Sequence, residues 1–269
     1  TQWSRPMEVT TLTSGWTNEA LLEEVLGGPW QVPSPLADTR AIDREDWRQR
    51  ITPSLKQGGF NEVAFCRVDA RDADALIDRT IEEYARLGLR FRWTVTPGAE
   101  PADLPERLAR RGFGRVEIRG MARDLAPIET ASRATVELVD TSTVDELSDV
   151  MAEGWSMDPA PLRPLHRAMV ERAPDRYRLF LVREGRVPVG VGGYAAAPRS
   201  AYQMGAVVLP AFRGRGHYPA LVAARLADGA ARGIALATSQ AREETSAPIL
   251  ERLGFVTVCR FPSFTSPSP

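Results

Sequence analysis

One stretch restricts the architecture more than any other. Ala201 to Leu209 reads as a strand, Pro210 stops it, Arg213-Gly214-Arg215-Gly216 forms a glycine-containing loop, and Pro219 to Arg232 carries an apolar stripe at helical spacing. A strand that feeds a helix through such a loop makes an anion site. The helix N-terminus leaves backbone N–H groups unpaired and bears partial positive charge. Gly214 and Gly216 allow tight turning and close backbone approach, Arg213 and Arg215 add charge, and His217 offers its amide. The ligand that suits this recipe carries two or more phosphate charges. Two other phosphate loops fail on spacing. The G-x-x-x-x-G-K-[ST] loop needs a lysine, and Lys56 is the only one in the chain. The G-x-G-x-x-G loop meets Pro219 where its third glycine belongs, and the sheet before it reads as an antiparallel hairpin rather than parallel β-α-β. Taken alone, the motif also admits the plainer reading of a surface arginine loop ahead of an ordinary helix.

The surroundings give a mixed α/β order. Thr135 to Val139 alternates as a strand, and Ser142 to Trp155 places Val144, Leu147, Val150, Met151 and Trp155 at helical spacing. Pro159, Pro161 and Pro164 precede a short helix near Leu165 to Glu171. Tyr177 to Arg183 and Val187 to Ala196 form a hairpin turning at Glu184-Gly185-Arg186. After the apolar-striped helix come a strand at Ile234 to Ser239, a helix at Thr245 to Leu253 and a strand at Phe255 to Phe261. Ala126 to Ala134 reads as a linker. Ahead of it stand a strand (Asn61 to Asp69), a helix (Ala73 to Leu87), a strand (Phe91 to Val95) and Leu104-Pro-Glu-Arg-Leu-Ala-Arg-Arg-Gly-Phe113. That last segment resembles Ile249-Leu-Glu-Arg-Leu-Gly-Phe255. At 269 residues the chain has room for two modest cores. The reading is a duplicated domain, residues 1–130 and 134–269, with chance similarity of two amphipathic helices as the alternative.

Composition narrows the partners. The 34 basic and 35 acidic residues nearly cancel, so the net field favours neither nucleic acid nor an anionic membrane. Cys66 and Cys259 lie far apart in apolar runs and read as buried free thiols, not as a disulfide or metal site. Thr1 to Pro6 do not open a leader, and no stretch has the ~18 apolar residues of a membrane span, which implies a cytoplasmic protein.

The run Val207-Val208-Leu209-Pro210-Ala211-Phe212-Arg213-Gly214-Arg215-Gly216-His217-Tyr218 resembles the hallmark of the GNAT superfamily of N-acetyltransferases. That hallmark is a strand ending in valine, a proline, and a loop [Q/R]-x-x-G-x-[G/A] opening a helix. Arg213 and Gly216 match, and Tyr218 stands where a small residue is usual. The element order from Thr135 to Phe261 is also similar to that family. The resemblance implies a GNAT-like α+β fold, with a mixed, mostly antiparallel sheet flanked by helices, in two tandem copies. It implies transfer of an acetyl or other acyl group from acyl-CoA to an amine by direct attack, with a small-molecule amine as acceptor and acetyl-CoA or another acyl-CoA as cofactor. By likeness, the backbone of Ala206, Val207 and Val208 bonds the pantetheine arm. Arg213, Gly214, Arg215, Gly216, His217 and Tyr218 hold the pyrophosphate, with the Tyr218 side chain narrowing the groove. Ser246 lies beside the cofactor.

The family's usual acid and base are absent. Leu250 stands at the tyrosine position and Tyr202 at the glutamate position, within a residue. Tyr202 and His166 are therefore the catalytic candidates. His166 is the only histidine outside the loop and has an ordinary pKa of about 6.5; a solvated helix-face histidine is the other reading. By likeness, the loop between the first two helices forms the acceptor wall and supplies Glu153, Trp155, Asp158 and His166, with Trp155 and Asp158 as substrate-binding candidates and Trp155 also readable as core. In the N-terminal copy, Val68-Asp69-Ala70-Arg71-Asp72-Ala73-Asp74 replaces the phosphate loop. Its carboxylates cap a helix and repel phosphate, so that copy reads as degenerate. A non-catalytic acyl-CoA sensor is the alternative function.

Overall fold

The structure is a computed structural model and describes residues 15–56, 59–130, 132 and 134–268. Thr1 to Pro6, on which the leader was judged, lie outside the described residues, as do linker positions 131 and 133. In chain order the elements are α1 (Asn18–Gln31), β1 (Arg40–Asp43), β2 (Trp47–Ile51), β3 (Glu62–Cys66), α2 (Ala73–Arg86), β4 (Arg92–Thr94), α3 (Leu104–Arg110) and β5 (Gly114–Asp124). There follow β6 (Thr135–Leu138), α4 (Val144–Trp155), α5 (Leu162–Arg172), β7 (Tyr177–Glu184), β8 (Val187–Ala196), β9 (Ser200–Val208), α6 (His217–Ala231), β10 (Leu236–Arg242), α7 (Ser246–Arg252) and β11 (Val256–Thr265).

These elements form two compact units, each discontinuous in sequence. One takes residues 15–33, 119–241 and 245–259, and the other takes 34–118, 242–244 and 260–268. The boundaries read from the sequence, 1–130 and 134–269, are therefore corrected at both ends of the chain. Residues 15–33 cluster with the C-terminal strands and residues 260–268 with the N-terminal ones.

The first unit has the strand order β11-β5-β10-β9-β8-β7-β6. The pairs from β6 to β9 are antiparallel and β9–β10 is parallel. Helix α6 buries Leu221, Val222 and Leu226 against Phe180, Val182, Tyr194 and Ala201 of the sheet. Helix α1 starts at the cap residue Thr17, whose hydroxyl accepts the Ala20 N–H at 3.2 Å. Pro29, inside that helix, has no N–H to give Val25 O, and Gln240 Nε2 donates to that carbonyl instead, at 3.1 Å. The side chain of α1 residue Glu24 is buried and accepts from Ser200 Oγ at 2.7 Å, which pins α1 to β9.

The second unit has the order β1-β2-β3-β4-β11, with β3–β4 parallel and the other pairs antiparallel. Its core is aromatic. Tyr84 stacks on Phe91 at 4.0 Å and Trp47 meets Trp93 edge-on at 5.7 Å. The sequence reading did not mark α1, β1 or β2. Gly27, Gly28 and Pro29 interrupt the helical pattern of α1. Both strands carry charged residues, and their turn, closed by Arg44 and Trp47 through paired backbone bonds, contains no glycine. Cys66 and Cys259 are both buried free thiols, and burial pushes each pKa up to about 12. Among the described residues no helix is long and apolar enough to cross a membrane, and no cluster of His, Cys, Asp or Glu could hold a metal ion.

Candidate functional site

The site begins with an irregularity in β9. Ala201 and Val208 both pack into the core beneath α6, although seven residues separate them and strict alternation would put them on opposite faces. One extra residue resolves this. The β8–β9 register passes from Gly193↔Met204 to Val191↔Val207, which is a bulge, and Gly205 within it has φ +52. The same bulge ends the pairing with β10. Those strands are in register from Ser200↔Leu236 to Gln203↔Ser239, and residues 204–208 have no β10 partner. The first unit therefore has a gap in its strand pairing, a slot along Ala206, Val207 and Val208 where β9 has no β10 partner.

At the end of that wall the chain turns through Pro210–Phe212 into the loop. Gly214 and Gly216 take positive φ of 78 and 82. Helix α6 starts at His217, and its first i to i−4 bond runs from the Ala220 N–H to Gly216 O at 3.1 Å. The amides just before it have no intrahelical acceptor, and Ser132 lies against Gly216, its Cβ 3.3 Å from where a Cβ on that glycine would stand. The side-chain charges are arranged differently from the expectation of the sequence reading. Arg213 Nε turns back to Val208 O at 3.0 Å. Arg215 pairs with Glu184 at 2.7 Å, and the same carboxylate meets His217 Nε2 at 3.0 Å. Because the Arg215 pair is largely exposed, its coupling is worth no more than about 1 kcal/mol, and the guanidinium is easily released to a phosphate. The Tyr218 ring does not narrow a groove as expected. It packs against the core, and its hydroxyl meets Arg225.

On the other face of β9, Gly154 of α4 lies so close that a Cβ there would stand 2.5 Å from Val207 Cγ2. This contact brings Met151 and Trp155 over the bulge at Gly205. Trp155 is 44% exposed at the end of α4, so it borders the slot as an open aromatic surface and is not core. Asp158 is exposed in the following loop and accepts the Ala160 N–H at 2.9 Å. Tyr202 is half-buried on β9, opposite Thr238 and beside Gly28 of α1. Ser246 opens α7, half-buried.

His166 is not on an accessible wall. It is 3% exposed between α4 and α5, and its Nδ1 lies 2.9 Å from Ser148 Oγ. Ser148 directs its own hydrogen to Val144 O, so Nδ1–H is the donor to the serine. Burial lowers the His166 pKa to about 4, which keeps the ring neutral near pH 7. The place of His166 after the first helix suggested an acceptor-wall residue, but the packing of α5 on α4 turns the ring into the contact between them.

The sequence reading also missed Arg225, which is 1% exposed. Its Nε bonds Leu221 O at 3.1 Å and its Nη1 bonds Gly193 O at 3.2 Å, beneath Ala206. A buried guanidinium held by carbonyls and a tyrosine hydroxyl fixes α6 to the strand beside the bulge. Its only sequence signal was a charge on an otherwise apolar helix face. Gln203 Oε1 and Thr238 Oγ1, near the last β9–β10 pairs, are buried without a hydrogen-bond partner among the described residues.

No sequence-family profile matches the chain, and no curated protein sequence does either. Solved structures share its fold. A GCN5-related N-acetyltransferase from Kribbella flavida superposes with TM-score 0.63 at 17% identity, over 92% of this chain and 96% of its own. A conserved protein of unknown function from Staphylococcus epidermidis gives TM-score 0.64 at 13% identity, over 87% and 96%. A tandem GNAT protein from the clavulanic acid biosynthesis pathway gives TM-score 0.52 at 18% identity, over 83% and 78%. The chain thus has the GCN5-related N-acetyltransferase fold, a mixed α+β architecture with a mostly antiparallel sheet flanked by helices.

Proposed function

We propose that the chain is an N-acyltransferase that moves an acetyl or other acyl group from acyl-CoA to a small-molecule amine, with one working cofactor site in the unit built on β9 and α6. The observation that carries this reading is the end of the β9–β10 pairing at Gln203↔Ser239, which leaves the following residues of β9 without a β10 partner just ahead of the positive-φ glycines that open α6. The names of structures sharing the fold agree with it. The second unit is then a degenerate tandem copy.

Acyl-CoA, when bound, supplies the thioester that carries the acyl group. The backbone of Ala206, Val207 and Val208 would orient the pantetheine arm. The amides from Gly214 to Tyr218, with Arg213 and Arg215, would hold the pyrophosphate, and Ser246 would lie beside the cofactor. Trp155 would border the acceptor, with Asp158 in the neighbouring loop available to attract an ammonium group. Tyr202 is the remaining candidate to pass a proton between the attacking amine and the leaving thiol, because His166 is enclosed between helices.

Leu250, which is 1% exposed and packed in the core, favours a second reading, a sensor that binds acyl-CoA without turnover. Thiol release from acetyl-CoA with a panel of amines separates the two, since an enzyme accelerates with a suitable acceptor and a sensor does not. Given turnover, Tyr202→Phe should lower the rate by ~10²–10⁴ and remove one limb of the pH profile. An unchanged profile would assign proton transfer to water.

A further inference from the structure

The two faces of α2 differ in how their charges are met. Toward α3, Asp74 and Asp78 are matched by Arg107 and Arg111, with Arg111 reaching Asp74 at 2.9 Å and Asp78 at 2.6 Å. On the opposite face Arg79, Glu83 and Arg86 recur at helical spacing along a cavity of about 490 Å³, whose other wall is the β1–β2 hairpin. Arg44, Asp46 and Arg67 also line it. The acidic groups there are already engaged. Glu83 accepts from Arg40 and, at 2.9 Å, from Gln49 Nε2, while Asp46 lies 3.6 Å from Arg44. The remaining cations are not. Arg67 lies over the Phe65 ring at 5.4 Å, Arg86 Nε donates to Glu82 O on its own helix, and neither they nor Arg79 has a carboxylate partner among the described residues. All three are exposed.

Three guanidiniums without a carboxylate partner around one cavity concentrate positive charge there, which favours an anion. Planar guanidinium forks suit carboxylate and phosphate oxygens, which they can engage in bidentate fashion. The cavity is also lined by Ile42, Trp47 and Leu76, so an apolar body is accommodated beside the charge, and its volume falls in the range of small-ligand sites. We infer that the second unit has an anion site of its own between α2 and the β1–β2 hairpin, which takes a small organic anion joining a phosphate or carboxylate group to an apolar body. The lining residues all belong to the second unit, and the inference does not depend on the acyltransferase reading.

The test is calorimetric titration of the full chain with citrate and with phenyl phosphate, in saturating acetyl-CoA so that the Arg213 to Tyr218 loop is filled. At least one probe should bind, more weakly as salt rises. Binding should weaken on the order of tenfold in Arg79→Gln and more in Arg67→Gln/Arg79→Gln, while Arg71→Gln, an exposed arginine outside the cavity, should match the parent. Heat from phenyl phosphate alone would identify a phosphate ligand, and heat from citrate alone a carboxylate ligand. The inference is overturned if neither probe binds, if the double variant keeps full affinity, or if Arg71→Gln loses as much. Unchanged melting temperatures without probe show that the variants fold. If acetyl-CoA itself gives no heat, the acyltransferase reading fails, and the probe titrations still decide this site.

Discussion

A strand passes to a helix through a short loop in both units, and the two passages differ at each point that matters to a phosphate. In the first, Gly214 and Gly216 turn the chain with positive φ, and no carboxylate stands among the residues from Arg213 to Tyr218 that lead into α6. In the second, Asp69 Oδ1 accepts the Arg71 N–H at 3.0 Å, Asp72 stands at the N-cap of α2, and Asp74 pairs with Arg107 and Arg111. The strands diverge as well. β9 leaves β10 after Gln203, whereas the edge of β3 is closed by the segment after β4. There the Glu100 N–H donates to Cys66 O at 2.9 Å, the Val68 N–H donates to Glu100 O at 3.3 Å, and Thr96 Oγ1 donates to Ala64 O at 3.3 Å. The two passages therefore differ in two independent features, the charge at the helix start and the pairing of the strand edge.

The largest effect that separates the units is expected in acid. Both histidines lie in the first unit, and the buried one, His166, has a pKa of about 4 against an unfolded value of 6.5. As pH falls below 6.5 the unfolded chain takes up a proton that the folded one refuses. Stability from this group is thus lost between pH 6.5 and 4, by on the order of 3 kcal/mol in total. Hydrogen exchange should show α4 and α5 opening first, and His166→Asn should flatten the slope. A second unit that loosens at the same pH would break the contrast.

Ligand binding comes next in size. Acetyl-CoA at about 100 times its Kd should stabilise the chain by about 2.7 kcal/mol, with one site per chain by calorimetry. Gly216→Glu, which sets a carboxylate in the loop, should abolish that shift. Two equivalent sites per chain would contradict the closed edge at β3. Close packing at the slot predicts a loss of similar order: Gly154→Ala forces a methyl against Val207 and should cost about 1–3 kcal/mol and weaken acetyl-CoA binding. Unchanged stability and affinity would mean that α4 can withdraw from β9 freely. The smallest effect is the most discriminating. Asp69→Asn/Asp72→Asn/Asp74→Asn removes the charges at α2, and calorimetry should still count one site, because residues 96–100 continue to occupy the strand edge. A second site in that variant would show that charge alone had silenced this copy.

Local pattern in the sequence determined the loop and its helix, the hairpin of β7 and β8, and the aspartates that set the two passages apart, because φ preferences, helix-end polarity and alternation act over a few residues. It also determined the positions of Trp155 and Tyr202 along the chain. The tertiary structure decided what those positions meet. A helical period fixes a face only relative to its own axis, so it could not tell that His166 turns into the α4–α5 contact while Trp155 opens over the bulge. The extra residue at Gly205 leaves no local signature beyond one glycine, because a bulge exists only against the register of a partner strand. The closure of β3, the fastening of α1 to β9 through Glu24 and Ser200, and the clustering of residues 260–268 with 34–118 join parts far apart in sequence. Such pairings are settled by which buried surfaces and backbone groups fit together, and periodicity in a single sequence does not record that.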